Sequence, residues 1–95
     1  MTTDLTLQLF VAGSPAQHET LARRVTTLLD AMLKVPYRFD VIDVLDKPDL
    51  ADLAHILVTP TLVIRFDSVE RRLVGDLSNL TKLQLVITDS GDGAS

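Results

Sequence analysis

The sequence predicts a small α/β domain in which a βαβ unit is followed by a second helix and a β-hairpin. Three observations lead to this class. An N-terminal segment alternates apolar and polar side chains, an apolar stripe with helical spacing follows it, and a β-branched and aromatic segment comes next. With 95 residues, 46% of them hydrophobic, the chain is long enough for one domain with a modest core.

The first strand and the first helix carry distinct signals. Residues 5–11 form the predicted strand, because every second side chain from Leu5 to Val11 is apolar and shares one face. Ser14 is a candidate helix N-cap, with Pro15 at the first helical position and Gln17 at the reciprocal position of a capping box. The apolar stripe of the helix consists of Leu21, Val25, Leu28, Leu29 and Met32.

A proline separates this helix from the second strand. Pro36 is expected to end the helix, because the residue before a proline disfavours helical dihedral angles. Residues 37–45 are rich in β-branched and aromatic side chains and predict the second strand. Two strands joined by such a helix form a right-handed crossover, which makes the strands parallel.

The second half of the chain begins with a short predicted helix. Residues 46–49 open it and residues 58–61 break it. Its apolar residues have i, i+3, i+4, i+7 spacing and are Leu50, Leu53, Ala54 and Leu57. Residues 61–66 and 70–75 then predict the two antiparallel strands of a hairpin.

The C-terminal segment has two interpretations. Capped at Asp76 or Ser78, it matches a helix with an apolar side, but residues 83–88 (LQLVIT) match a strand equally well. The local signals do not decide between them. We expect residues 1–88 to form the domain and the polar, glycine-bearing residues 89–95 to form a flexible tail.

With a final helix, the predicted order is βαβαββα, which is that of the thioredoxin-like fold. Thioredoxins hold Cys-x-x-Cys where this chain has residues 12–15 (AGSP), and the sequence contains no cysteine. Dithiol exchange, disulfides, zinc–thiolate sites and iron–sulfur clusters are therefore excluded. Thr59 and Pro60 precede the third predicted strand, where this fold carries a cis-proline, so we treat them as structural candidates. An ordinary trans-proline is the alternative.

The composition excludes further classes of function. Thirteen acidic residues stand against nine basic ones, for a net charge of −4, so a basic nucleic-acid footprint is absent. No apolar run approaches the length of about 20 residues that a membrane helix needs. Without a signal-peptide pattern at the N-terminus, a cytoplasmic location is expected. Two histidines are too few for a histidine-rich metal site, and we expect no cofactor.

Charged residues recur in two places. Aspartates occupy every third position from Asp40 to Asp52, without the glycine turn and closing glutamate of a calcium loop. They predict a solvated acidic edge or a docking surface for a basic partner. Arg65, Arg71 and Arg72 cluster at the predicted hairpin and indicate a solvated strand edge or a protein contact.

Four sequence blocks resemble the KaiB family of circadian-clock proteins. They are residues 9–13 (LFVAG), 41–45 (VIDVL), 56–62 (ILVTPTL) and 71–79 (RRLVGDLSN), with Pro48 and Leu50 fitting between the second and third blocks. The spacing matches without gaps from about residue 5 to residue 87.

The resemblance implies a non-enzymatic adaptor that binds a ring-shaped KaiC-type ATPase and modulates its phosphorylation cycle in circadian timing. It also implies that the second half of the chain has two arrangements. One is the thioredoxin-like order βαβαββα, and the other is a ground state, βαββααβ, found in tetramers. Two packings of one sequence differ by only a few kcal/mol in such proteins. A homodimer or homotetramer is therefore an expected form.

The expected partner-binding surface is the edge formed by the second strand and second helix, residues 41–57. Its candidate residues are Val41, Ile42, Val44, Pro48, Asp49, Asp52, Leu53 and His55. The chain departs from the family where residues 67–69 (DSV) replace a proline-rich turn and where Asp40 and His55 occupy often basic positions. Three alternatives stay open: a KaiB-like sensor domain linked to a histidine kinase, a redox-inactive thioredoxin-like scaffold, and an enzyme with a glutathione-like site beside Pro60.

Overall fold

The computed structural model describes residues 5–33, 36–66 and 69–75. The elements are β1 (Leu5–Val11), a 3-10 turn (Pro15–His18), α1 (Glu19–Met32), β2 (Tyr37–Asp43), α2 (Pro48–Leu53), β3 (Thr61–Phe66) and β4 (Val69–Val74). The predicted C-terminal helix or strand and the predicted tail lie outside the described residues.

The four strands form one sheet in the order β2-β1-β3-β4. β1 and β2 are parallel, with Leu5 opposite Tyr37, as the predicted crossover requires. β3 runs antiparallel to β1 and pairs with β4 as the predicted hairpin. Because a helix rather than a strand follows β2, the described residues have the thioredoxin-like order and not the ground-state order.

The sheet buries apolar side chains on both faces. Alternate residues of β1 face α1, whose Val25 and Leu29 are fully buried among them. This larger core cluster consists of Leu5, Leu7, Leu9, Val11, Val25, Leu29, Leu62, Ile64 and Leu73. On the opposite face a smaller cluster lies under α2 and consists of Phe10, Ile42, Ala54 and Val63. Among the described residues, the cluster beneath α1 therefore contains more buried side chains than the cluster beneath α2.

The start of the first helix differs from the prediction. Ser14 occupies the N-cap position, but its side chain makes no capping hydrogen bond. The backbone N–H of Gln17 donates to the carbonyl oxygen of Ser14 at 3.0 Å, which closes a 3-10 turn rather than a turn of α-helix. The α-helix proper begins at Glu19. The predicted capping box is therefore wrong, and Pro15 begins the 3-10 turn instead.

Strand boundaries also shift by one or two residues. β2 ends at Asp43 rather than at residue 45, because the carbonyl oxygen of Asp43 accepts the N–H groups of Asp46 and Lys47 and so closes a turn. β4 spans Val69–Val74 rather than 70–75. Gly75 has a φ of 90°, a left-handed conformation that glycine adopts without strain.

Candidate partner-binding surface

The chain from residue 45 to residue 58 exposes an apolar surface around α2. Leu45, Leu53 and Leu57 are 74%, 78% and 93% exposed. Together with the less exposed Leu50 and Val58 they form what we call the α2 surface. Five of the seven large apolar side chains that are exposed in the described part of the chain lie on it. Leu50 and Leu53 line one pocket, and Leu57 and Val58 line another. Apolar side chains exposed in patches mark interaction sites more often than isolated ones do.

The α2 surface exists because α2 buries its alanines and not its leucines. Ala54 packs on Phe10, Ile42 and Val63, and Ala51 is buried as well. The buried side chains of this segment are therefore small, while its leucines are exposed. The leucine spacing predicts the helix correctly, but the implied length, to residue 57, is wrong because α2 ends at Leu53.

A left-handed residue ends α2. His55 has a φ of 57°, and its N–H donates to the carbonyl oxygen of Asp52 at 3.1 Å. The N–H of Ile56 donates to the carbonyl oxygen of Ala51 at 2.9 Å, which completes a Schellman motif. A Schellman motif stops the helix, so Leu57 lies outside it and is exposed. Arg72 of β4 lies 3.5 Å from the carbonyl oxygen of His55.

The start of α2 is fixed by Asp43 at the end of β2. Its carboxylate oxygen accepts the N–H of Gly13 at 3.0 Å and the N–H of Leu45 at 2.9 Å. The bond from Gly13, followed by those from Leu45 and Asp46, holds the pKa of Asp43 below its usual value. Asp43 thereby ties the loop after β1 to the turn before α2. The loop that bears the two cysteines in thioredoxins is thus anchored to the α2 surface by a carboxylate.

Acidic side chains surround the α2 surface. Asp46, Asp49 and Asp52 are exposed, and Lys47 is the basic residue among them. Asp40 instead pairs with Arg38 on β2 at 3.1 Å, and Asp43 belongs to the turn described above. The five regularly spaced aspartates therefore divide into three roles, and the three from Asp46 onwards provide a negatively charged rim.

The structure places most of the predicted site residues on or beside the α2 surface. Pro48, Asp49, Asp52, Leu53 and His55 are exposed, and Val44 is half-buried. Ile42 is buried beneath α2 and supports it, while Val41 packs against the cluster under α1. The predicted edge, residues 41–57, contains Leu45, Leu50 and Leu57, but they were not among its candidate residues, and Val58 lies one residue beyond it. The signal for them was present, since a helix this short cannot bury every apolar residue around it.

The segment leading into β3 contains a cis peptide bond between Thr59 and Pro60. The Thr61 hydroxyl donates to the carbonyl oxygen of Val58 at 2.7 Å. The N–H of Gly75 donates to the carbonyl oxygen of Pro60 at 2.9 Å. Both ends of the hairpin therefore hold this segment beside α2.

The arginines of the hairpin take part in an intramolecular network. Glu70 accepts hydrogen bonds from Arg72 at 2.9 Å and from Arg65 at 3.0 Å. The bond from Arg72 is the largest cause that lowers the pKa of Glu70. Arg65 also donates to the side-chain oxygen of Gln8 at 2.8 Å. These pairs fit the solvated-edge interpretation of Arg65 and Arg72 better than a role as free cations.

Residues 5–33, 36–66 and 69–75 lack two further features that bear on function. These residues include no group of three or more histidine, aspartate or glutamate side chains placed to hold a metal ion. Within the same ranges, no helix is long and apolar enough to span a membrane.

The fold and the missing thiols define the class of protein: a thioredoxin-like α/β domain without the dithiol redox centre. The chain belongs to the KaiB family, because the sequence model of the KaiB domain matches residues 8–89. The circadian clock oscillator protein KaiB of Thermostichus vulcanus is 38% identical over 92 residues, which cover 93% of this chain and 85% of that protein.

Solved structures show the same relationship. The N-terminal domain of SasA from Synechococcus elongatus superposes with a TM-score of 0.71 at 34% identity, covering 92% of this chain and 84% of that domain. Thioredoxin from Fasciola hepatica has a TM-score of 0.69 at 27% identity, with 92% and 81% covered. The thioredoxin-like class predicted from the element order and the family predicted from the sequence blocks are both confirmed.

Proposed function

We propose that this protein is a non-enzymatic regulatory adaptor that binds a KaiC-type ATPase ring through the α2 surface. Binding modulates the phosphorylation and ATPase cycle of the ring in circadian-type timing. The observation that carries the proposal is the apolar α2 surface with its acidic rim, in a chain of the KaiB family. A cytoplasmic location belongs to the same proposal, since the partner is a soluble ATPase.

The α2 surface is large enough to contribute to binding but not to account for it alone. Burying a leucine side chain stabilises a complex by about 1.5–3 kcal/mol, so three leucines supply roughly 5–9 kcal/mol. The loss of translational and rotational freedom opposes association by about 4–15 kcal/mol. Complementary charges at the rim therefore have to raise the association rate and the specificity.

The arrangement seen here is the one that binds in this proposal. In the ground-state order that the family resemblance implies, a strand rather than a helix follows β2, so α2 belongs to the thioredoxin-like order. A partner that binds α2 therefore favours this arrangement and draws the population towards it. The shift is limited by how much more tightly the partner binds this arrangement than the ground state.

Charge reversal at the rim tests the site. Changing both Asp49 and Asp52 to lysine is expected to weaken binding of the ring without unfolding the domain, because both side chains are exposed. The loss should be smaller at high salt, where rim charges are screened. Unchanged affinity in a titration would remove the acidic rim from the proposal.

Gel filtration with the KaiC-type ATPase of the same organism, in the presence of ATP, tests the function. We expect the wild-type protein to co-elute with the ring and Val58→Asp to lose co-elution. Val69→Asp is the matched control, because Val69 is an exposed valine on β4 rather than on the α2 surface. Two separate peaks for the wild type and an intact ring would contradict the proposal.

The similarity to the N-terminal domain of SasA favours a second candidate, a sensor or scaffold domain in histidine-kinase signalling. In that case the α2 surface binds a kinase or its response regulator. Pull-down with the histidine kinases and response regulators of the organism distinguishes the two candidates when the ring does not co-elute.

A further inference from the structure

A groove lies beside α2, between the helix and the segment that leads to Pro60. It encloses about 330 Å³. Its floor is apolar and consists of Val44, Ala51 and Ile56, and Leu57 and Val58 lie at its rim. Small-molecule sites range from about 300 to 1,000 Å³. The groove is therefore at the lower end of that range and is large enough to accept a whole side chain of a partner.

Few of the side chains that line the groove are polar, and one of them is charged. Among the described residues that line it, Asp52 is the charged one and Thr59 is the other polar one. The approach to the groove is negatively charged too, because residues 43–52 contain four aspartates and one lysine. A small-molecule site needs several convergent polar groups to orient its ligand, and the described lining does not provide them.

A second copy of this chain is a poor occupant. Two copies meeting at this face would bring their Asp49 and Asp52 side chains together, and like charges brought close at an interface oppose association. A partner segment that joins an apolar side chain to a lysine or arginine fits both features of the groove at once.

We propose that the groove receives one apolar side chain of the partner, and that a neighbouring basic residue of the partner pairs with Asp52. This inference rests on the proposed function for its biological partner, but the chemistry of the groove can be tested separately. Side chains seated in well-packed, desolvated pockets near the centre of an interface contribute most of the binding energy. Leu57 and Val58 would then close around the inserted side chain at the rim.

Filling the groove tests the proposal on the ring. Ala51→Leu places extra volume on the floor and leaves the exposed leucines unchanged. We expect it to weaken binding of the KaiC-type ring by roughly tenfold or more. The matched control is Ala31→Leu. Ala31 is exposed, and it belongs to α1, which lies on the other face of the sheet. The Tm and circular dichroism of both variants show whether the fold is kept.

A peptide probe tests the groove without the ring. Acetyl-leucyl-lysine amide is titrated into the methyl-labelled full chain, with acetyl-leucyl-glutamate amide as the matched probe of opposite charge. We expect saturable chemical-shift changes at the methyl groups of Val44, Ile56 and Val58 with the lysine probe alone. Asp52→Asn should weaken the response to the lysine probe, so that the chemical-shift changes caused by the two probes become more similar.

The outcomes separate the two proposals. If the ring binds and Ala51→Leu binds as tightly as wild type, the groove proposal is overturned while the proposed function stands. If the lysine probe binds in the groove but the wild-type protein does not bind the ring, the groove proposal is supported and the proposed function is contradicted. Equal responses to both probes, or none from either at millimolar concentration, overturn the groove proposal. If Ala51→Leu unfolds the domain, the probe titration decides.

Discussion

α1 and α2 both carry apolar residues at helical spacing, yet they use them in opposite ways. α1 has 14 residues and directs its stripe at the sheet, where Val25 and Leu29 are fully buried. α2 has six residues, buries alanines, and leaves Leu53 almost as exposed as an unfolded chain would. The comparison shows that apolar spacing predicts that a segment is helical. Which side chains of the helix are buried depends on the length of the helix, on its caps and on where its small residues lie.

The largest expected difference between the two helices is in the free energy of unfolding. Leu29→Ala should destabilise the domain by about 2–5 kcal/mol, because it leaves a cavity in the main core. Leu53→Ala should change stability by less than about 0.5 kcal/mol, since the side chain is mostly in water. Urea denaturation of both variants measures this contrast. Equal losses would mean that Leu53 is packed in solution and that the α2 surface is not exposed.

The next effect concerns the packing of Ala54 against the sheet. Ala54→Leu should destabilise the domain by about 1–3 kcal/mol, because the larger side chain has to displace the helix from Phe10 and Val63. Ala31→Leu, on the exposed side of α1, is the control and should have little effect. Thermal unfolding of the two variants gives the comparison. A neutral Ala54→Leu would show that α2 is loosely seated.

A smaller effect is expected from the carboxylate that connects the two loops. Asp43→Asn keeps an oxygen acceptor but loses the charge, and charge-assisted hydrogen bonds are about twice as strong as neutral ones. The substitution should therefore lower the free energy of unfolding at neutral pH, and by less than Leu29→Ala or Ala54→Leu does.

The dependence on pH has a definite sign. Folding lowers the pKa of Asp43 from its ordinary 3.8, so the ionised carboxylate stabilises the folded state above that value. This contribution is lost as the pH falls through the lower pKa of the folded state. Wild type and Asp43→Asn should therefore converge in stability in acid. If the difference in free energy of unfolding between wild type and Asp43→Asn stayed constant from neutral pH into acid, this role of Asp43 would be contradicted.

The smallest predicted effect lies at the end of α2. A left-handed conformation is unfavourable for a residue with a Cβ by about 1–2 kcal/mol, and glycine avoids this at an entropic cost of roughly 0.5–1 kcal/mol. His55→Gly should therefore stabilise the domain slightly, by about 0.5 kcal/mol. His55→Val should destabilise it, because a β-branched residue tolerates positive φ poorly. The reverse order in thermal unfolding would indicate that α2 continues past His55.

The sequence was sufficient for the strands, the parallel crossover and the hairpin, because their apolar patterns report burial directly. It was insufficient at Ser14, where a 3-10 turn replaces the predicted cap, and at His55, where no glycine marks the end of the helix. The predicted partner-binding edge, residues 41–57, contains Leu45 and Leu53, but its candidate residues included Leu53 and not Leu45, and Val58 lies just beyond the edge. The exposure of these side chains depends on how α2 packs on the sheet, and the spacing of apolar residues in the sequence does not determine that packing.

Hydrogen–deuterium exchange of the protein with and without its ring partner tests the central claim most directly. If the α2 surface is the partner-binding surface, amides of residues 45–58 gain protection in the complex, while the exposed side of α1 does not. Protection that appears on α1 and leaves residues 45–58 unchanged would contradict the account, because the partner would then bind the opposite face of the sheet.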